Sequence, residues 1–445
     1  MGFRFGFIFD GGEAKSLVAL KLLFLIHYCA FSTQTYLPLY FDTNGHYSKF
    51  QIGFLLSLPC ICAIISPPIW GAVADVIHNQ KLVHIVCLIS AALLMFSVQF
   101  VTAFEIMAVT VFIANFQTQP TWSLLDQTAM QMLSQIGGVY GKQRLYGAVG
   151  YGWGGYLAGV LAASVGIAWC FNMVLALSVF SLFILVRFIP SVDRVNAGQS
   201  SGGNDYLKSL AHMKEQSDVV VLFIVVLLAG MMGGLIDSFL FLYYFNLSGN
   251  NANLVGIIIA IETISELPLF FYSNQILDRV GTPKVVMVCL VAYGIRMVVY
   301  MYAQNPWYLL PIEALHGLTF GLLWAAFTNY VYMSSAEGTQ GTMIGMLTAV
   351  QKGMGAAFAT LTGGYIYQEY GARTMWAIAA YGIFPLSMLF AFLFAGLAHH
   401  YVSTGPIRHV VSSHSIIMLE SASPSDKQIH ESTPLLKNTQ LKDLV

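Results

Sequence analysis

Charged residues are scarce in this chain of 445 residues: only 9% are Asp, Glu, Lys or Arg, whereas 57% are hydrophobic. Soluble domains carry roughly 25% charged residues, so the composition excludes an ordinary soluble protein. The basic residues form no stripe outside the apolar runs, which excludes nucleic-acid binding. The net charge of −1 follows from nearly neutral apolar runs and indicates no particular partner.

Other signals are missing as well. All six cysteines fall in apolar runs and are predicted to be small buried hydrophobic residues rather than disulfide partners. The first sixteen residues show no cleavage-site pattern, so no removable signal peptide is predicted. The sequence has no H-E-x-x-H, no Cys/His cluster, no nucleophile elbow and no Walker loop. These absences argue against an enzyme, an ATP-driven pump, a bound metal and any other cofactor.

Long apolar runs are abundant, and each is long enough to cross a bilayer, which takes about 20 residues. We count twelve runs and predict an all-α membrane protein. The predicted spans are 17–41, 50–72, 82–102, 105–126, 143–167, 169–189, 219–246, 252–275, 283–303, 305–332, 342–367 and 371–397.

The distribution of Lys and Arg predicts the orientation, because cytoplasmic loops carry an excess of these residues. With a cytoplasmic N-terminus, only Lys49 and Arg373 lie on the outer side. Both termini are therefore predicted to be cytoplasmic. The predicted organisation is an N-terminus at 1–16, a six-helix bundle at 17–190, a linker at 191–218, a second six-helix bundle at 219–397 and a disordered tail at 398–445.

The two halves repeat each other at a constant offset of 203 residues. The segment GAVADVIHNQK begins at Gly71, and NQILDRVGTPK begins at Asn274. A repeat of six spans predicts two parallel bundles that face one another across a central cavity.

The loop between the second and third spans resembles the G-x-x-x-D-x-x-G-x-x-[RK] signature of the major facilitator superfamily. The matching residues are Gly71, Asp75 and Lys81 in the first copy, with His78 in place of a glycine, and Asp278, Arg279, Gly281 and Lys284 in the second. The resemblance implies twelve helices in two pseudo-symmetric bundles that alternate between membrane faces, and usually a monomer. The loops are expected to gate this motion, because their Asp residues can pair with groups at neighbouring helix ends; the alternative is static solvated charges.

A narrower resemblance covers nearly the whole membrane domain. The segment YGKQRLYGAVGY is similar to the fifth span of the lactose-permease (oligosaccharide:proton symporter) branch, to which the eukaryotic associated-domain proteins are related. The resemblance implies that Arg144 and Asp126 bind a sugar and that Tyr151 replaces a stacking tryptophan. In the second half, it matches Asp237, Glu262, Glu266, Arg296, His316 and Lys352. Two positions depart from this family: Thr319 replaces the proton-releasing carboxylate, and Glu313 replaces a lysine.

The polar residues inside the spans suggest a binding site even without the resemblance. Asp126 ends one predicted span and Arg144 begins the next, so they can face each other across the N-terminal half. A guanidinium and a carboxylate together offer the donors and acceptors that bind hydroxyl groups. The alternative is that Arg144 extends to the cytoplasmic interface. The predicted substrate residues are Asp126, Arg144, Tyr151, Glu262, Glu266 and Trp324.

The second half holds more charge within its spans. Charges isolated in hydrocarbon are costly, so these groups are predicted to share a polar interior. Glu262 and Glu266 are four residues apart, and Glu313 and His316 are three apart, so each pair shares a helical face. Such a network can change its proton count, although a permanent structural network is the alternative. The predicted proton-coupling residues are Asp237, Arg296, Glu313, His316 and Lys352.

We therefore predict a secondary active transporter that moves a small hydrophilic organic solute, preferably a sugar or glycoside, together with protons. The alternatives are a nucleoside or aromatic-acid carrier, a uniporter, and a transport-inactive receptor or scaffold. The expected partners are the lipid bilayer, the solute and protons. The tail segment ESTPLL, with Glu431, Leu435 and Leu436, resembles a dileucine sorting motif read by clathrin adaptors. It predicts a vacuolar or lysosomal membrane, with the plasma membrane as the alternative.

Overall fold

Twelve helices make up the membrane domain in the computed structural model, which describes residues 15–136, 140–190, 215–335 and 339–404. The first six are α1 (15–43), α2 (Lys49–Ile77), α3 (Gln80–Ser97), α4 (Phe104–Ile136), α5 (Tyr140–Val165) and α6 (Trp169–Phe188). The second six are α7 (Ser217–Leu247), α8 (Ala252–Val280), α9 (Thr282–Tyr302), α10 (Pro306–Ser334), α11 (340–370) and α12 (372–404). The prediction of an all-α protein with twelve spans is confirmed. Most of the predicted linker and nearly all of the tail, including the sorting motif, lie outside the described residues.

Hydrophobicity explains most of these helices but not all of them. Within the described ranges, nine helices are long and apolar enough to cross a membrane. The exceptions are α4, α5 and α11, which carry Asp126, Arg144 and Lys352. A helix with one face on a polar cavity tolerates such residues, whereas a helix surrounded by lipid does not.

Helices α1–α6 form one bundle and α7–α12 the other. We call the side on which α1 begins and α12 ends the terminal side, and the opposite side the distal side. The bundles pack closely where α5 crosses α8 and where α2 crosses α11. A methyl group added at Gly159 would lie 2.9 Å from the Cα atom of Gly256, and one added at Gly53 would lie 2.9 Å from that of Gly364. Small residues permit this approach, which closes the distal side.

The backbone supports the internal repeat at the two signature loops. His78, the residue that follows α2, has φ 54°, and Gly281, the residue that follows α8, has φ 87°. Glycine adopts a positive φ without steric cost, whereas histidine does so at a cost of about 1–2 kcal/mol. Both loops therefore turn through a residue with positive φ at the equivalent position, but the ψ angles of 22° and 139° make the two turns different.

Helices α10, α11 and α12 each contain a π-helical segment. These segments are Gly317–Leu322, Ala349–Gly355 and Ala379–Ile383. Such segments often occur at functional sites, because the wider turn re-aims the neighbouring side chains. The first segment begins directly after His316 and contains Thr319, and the second contains Lys352.

Candidate functional site

A cavity of about 190 Å³ lies within the C-terminal bundle and reaches α2 of the other bundle at Cys60. Four of the predicted proton-coupling residues line it, namely Asp237, Arg296, His316 and Lys352. Their helices α7, α9, α10 and α11 converge here near mid-depth. The prediction that these charges share a polar interior therefore agrees with their positions.

Arg296 is the centre of the network and is almost completely buried. Its Nη2 group donates to Glu313 Oε2 at 2.6 Å and to Glu262 Oε1 at 3.0 Å. Its Nη1 group donates to Thr319 Oγ1 at 2.7 Å, and Nε donates to Tyr300 Oη at 2.8 Å. One guanidinium thus serves two carboxylates from different helices, with two hydroxyl groups completing its coordination.

The two carboxylates have different surroundings. Glu313 is fully buried, and both of its oxygens accept hydrogen bonds: Oε1 from Tyr244 at 2.7 Å, and Oε2 from Arg296 and from Tyr300 at 2.9 Å. Glu262 uses only Oε1, which lies 3.0 Å from Arg296 Nη2 and 3.2 Å from His316 Nδ1. Glu313 is therefore held by three donors, whereas Glu262 keeps an oxygen without a protein partner in the described part of the chain.

Three charged side chains near the cavity form no ion pair among the described residues. They are Asp237, Glu266 and Lys352. The Lys352 ammonium instead lies over two aromatic rings, 4.9 Å from the centre of Trp324 and 5.3 Å from that of Phe320. The Phe320 ring also stacks on His316 with their centres 5.3 Å apart. One face of Trp324, a predicted substrate residue, is therefore covered by Lys352.

The predicted residues of the N-terminal bundle form a second group. Arg144 Nε lies 4.0 Å from Asp126 Oδ1, which is a loose ion pair, and both side chains are more than one-third exposed. The Arg144 guanidinium lies 4.2 Å from the centre of the Tyr28 ring, and Tyr140 hydrogen-bonds Asp126. Tyr151 contacts the hydroxyl of Thr35 at 3.0 Å. The expectation that Asp126 and Arg144 face each other agrees with this geometry.

The predicted gating residues lie at the terminal-side ends of their helices. Lys81 donates to the Val186 and Ile189 carbonyls at 3.1 and 2.6 Å, at the end of α6. A cation at a helix C-terminus is stabilised by the helix dipole. Lys81 thus joins helices of one bundle. Gly71 lies where an added methyl meets no atom. Asp278, Arg279 and Lys284 are exposed, Gly281 makes the turn, and the Asp75 side chain lies outside the described part.

The comparisons with known proteins agree with this architecture. A model of the MFS_1 like family matches residues 17–378. The chain belongs to this family. As a member of the major facilitator superfamily, it is a multi-pass membrane transporter and not an enzyme.

Two relatives of this MFS_1-like transporter align over most of their length. The maltose permease of Geobacillus stearothermophilus is 23% identical over 364 residues, which cover 81% of this chain and 90% of the permease. The nucleoside permease NupG of Escherichia coli is 23% identical over 416 residues, which cover 87% of this chain and 97% of NupG. A crystal structure of the nucleoside transporter NupG matches with a TM-score of 0.74 at 21% identity, covering 86% of this chain and 99% of that one. This likeness shows the shared fold.

Sequence reasoning missed several polar residues of the transporter. Three of them, Lys21, His27 and His84, are buried in the N-terminal bundle. Like the predicted site residues, they are polar side chains within apolar spans, so the sequence did offer a signal. His27 Nε2 lies 3.2 Å from Thr121 Oγ1, and the two histidine rings are 6.1 Å apart. Tyr300 was also missed; its position four residues after Arg296 places both on one helical face, which was a usable signal.

Proposed function

We propose that this transporter moves a small hydrophilic organic solute of the sugar or glycoside class in symport with protons. The observation that carries the proposal is the sharing of one buried arginine, Arg296, by Glu262 and Glu313, with His316 beside Glu262. Two carboxylates on one fixed cation leave a surplus negative charge. A proton on Glu262 or His316 balances that charge, and a buried charge that is not balanced is costly.

Glu262 is the acid that exchanges this proton in our proposal, and Glu313 is a structural anchor. Three donors hold Glu313 in a site without solvent access. By contrast, Glu262 contacts His316 through Oε1, and His316 lines the cavity. Since His316 is partly exposed, it connects Glu262 to the cavity and to a bound solute.

The solute binds between the bundles in this proposal. Asp126 and Arg144 supply acceptors and donors from the N-terminal side, and their loose 4.0 Å pairing lets a ligand take their place. Glu266 and Asp237 supply acceptors from the C-terminal side. Hydroxyl groups both donate and accept hydrogen bonds, so a polyol fits such a mixed set.

A nucleoside is the second candidate solute. The specific observation in its favour is the alignment with the nucleoside permease NupG over 97% of that protein. A nucleoside carries a sugar ring, so the same polar groups serve both candidates. A nucleoside differs from a sugar by its flat apolar base. In this proposal the base stacks on Tyr151, because Lys352 already covers a face of Trp324.

The close packing of α5 on α8 and of α2 on α11 supports a state of the alternating-access cycle that is closed on the distal side. The signature loops with Asp75 and Asp278 lie at the other side. We propose that they gate the opposite state, in which the terminal side is closed.

The test places the purified full-length protein in liposomes that contain a trapped pH dye. Disaccharides, monosaccharides, nucleosides and aromatic acids are added in turn, and proton entry and uptake of labelled solute are both recorded. We expect proton entry with one class of solute. Arg144→Ala should abolish both signals, and Glu262→Gln should abolish proton entry. Glu105→Gln removes an exposed carboxylate at the distal end of α4 and serves as the matched control.

Each other outcome has a defined meaning. Solute uptake without proton entry identifies a uniporter and makes the buried network structural. Proton-coupled uptake that survives Glu262→Gln but not Glu313→Gln reverses the roles assigned to these acids. Silence across the panel, from protein that elutes as a single folded species, favours the receptor or scaffold alternative.

A further inference from the structure

A groove on the distal side, about 390 Å³ in volume, has no role in the transport cycle proposed above. It lies between the end of α9 and the beginning of α12. Its lining residues are Met301, Tyr302, Gln304, Arg373, Thr374 and Ala377. It therefore combines one cation and several hydrogen-bonding groups with the apolar side chains of Met301 and Ala377.

Arg373 is the cation of this groove, and its charge is not neutralised by a carboxylate among the described residues. Its Nη2 group donates to the Ala303 carbonyl at 3.4 Å, and its guanidinium hydrogen-bonds the Tyr243 hydroxyl. A guanidinium has five N–H donors in a planar fork. Since both protein acceptors are neutral, the remaining donors and the full positive charge are available to an anion.

The surface below the groove identifies the kind of anion. Helices α9 and α12 expose apolar side chains at helical spacing, namely Val288, Val291 and Ile295 on α9 and Ile378, Tyr381 and Leu389 on α12. Tyr302 and Tyr381 meet at their hydroxyl groups, 3.5 Å apart, at the junction of this face with the groove. Such a face in a membrane domain lies against acyl chains. The polar, cationic groove therefore suits the phosphate of a phospholipid, and the apolar face below it suits the acyl chains.

We propose that this groove binds the phosphate of a phospholipid in the distal leaflet, with Arg373 as the principal ligand and Gln304 and Thr374 as neighbouring polar groups. The acyl chains lie along the exposed faces of α9 and α12. Arginine suits this role because its fork matches two phosphate oxygens and it is only weakly hydrated. The site is independent of the solute and of proton coupling.

Native mass spectrometry of the purified full-length protein tests the proposal. Protein stripped of lipid in detergent is titrated with dioleoylphosphatidylglycerol, and inorganic phosphate is titrated in parallel. We expect one lipid to bind before the others and Arg373→Gln to weaken that first binding about tenfold or more, because it removes a charge-assisted hydrogen bond. Arg187→Gln, which removes another exposed arginine at the end of α6, should leave it unchanged.

The result that overturns the proposal is equal lipid binding by the wild type and the Arg373→Gln variant. Competition by inorganic phosphate at the same concentration would also overturn it, since the groove would then bind a small free anion. If Arg373→Gln fails to fold, Arg373→Lys provides the second test. It keeps the charge but loses the fork, so its first lipid should bind less tightly than in the wild type but more tightly than the later lipids.

Discussion

Replacing Glu313 with glutamine tests whether this buried carboxylate anchors the C-terminal bundle. Both of its oxygens face only donors, from Tyr244 on one side and from Arg296 and Tyr300 on the other. A glutamine keeps one oxygen and turns the other position into a donor. One partner therefore loses its acceptor, and Arg296 loses half of its counter-charge.

The magnitude follows from these contacts. A hydrogen bond to a charged group contributes about 1.5–3 kcal/mol, and an orphaned buried donor costs about 1–3 kcal/mol. We expect Glu313→Gln to cost about 3–5 kcal/mol. Glu262→Gln can keep its bonded oxygen on Arg296 and His316 and place its amide nitrogen where the second oxygen of Glu262 has no protein partner among the described residues. It loses only the charge assistance, about 1 kcal/mol.

Thermal unfolding of the purified variants, followed by gel filtration of the remaining folded protein, measures this difference. The midpoint of Glu313→Gln should fall clearly further than that of Glu262→Gln, with Glu105→Gln as an exposed control. Equal midpoints for the Glu313 and Glu262 variants would refute the assignment of Glu313 as the anchor. A larger loss for Glu262→Gln would exchange the two roles.

Three further predictions concern the helix turns, the interface between the bundles and the cavity. His78→Gly should stabilise the protein by about 1 kcal/mol, because His78 has a positive φ that glycine adopts freely; a lower unfolding midpoint would contradict this. Gly364→Ala should destabilise by about 1–3 kcal/mol, since its methyl would meet the Gly53 backbone, whereas Gly345→Ala in the same helix meets no atom and should not; equal midpoints would refute the close packing. N-ethylmaleimide should modify Cys60 first, because the other five cysteines are buried and only Cys60 lines the cavity; peptide mapping that finds Cys289 or Cys87 modified first would refute this.

The helices and the repeat could be predicted because they depend on local sequence. A chain in a bilayer must satisfy its backbone hydrogen bonds internally, so each long apolar run becomes a helix wherever it packs. The correspondence of His78 and Gly281 could be predicted from the offset of 203 residues, and both residues have a positive φ in the structure. The glycines of α5 permit close approach, but their partners on α8 depend on how the bundles pack.

The pairing of the buried charges was not predictable in the same way. The spacing of Glu313 and His316 places them on one face of an ideal helix. In the structure, a turn at residues 314–315 interrupts α10 between them. Glu313 binds Tyr244, Tyr300 and Arg296, while His316 pairs with Glu262 on α8.

The sequence by itself determined that this chain spans a membrane twelve times and that its charged residues must meet inside. The cost of a charge in hydrocarbon compels such a meeting but does not select the partners. Only the tertiary structure decided that Arg296 pairs with both Glu313 and Glu262 and that His316 lies beside Glu262. It did so because ion pairing acts over a few ångströms, and these distances are set by the packing of three separate helices, α8, α9 and α10.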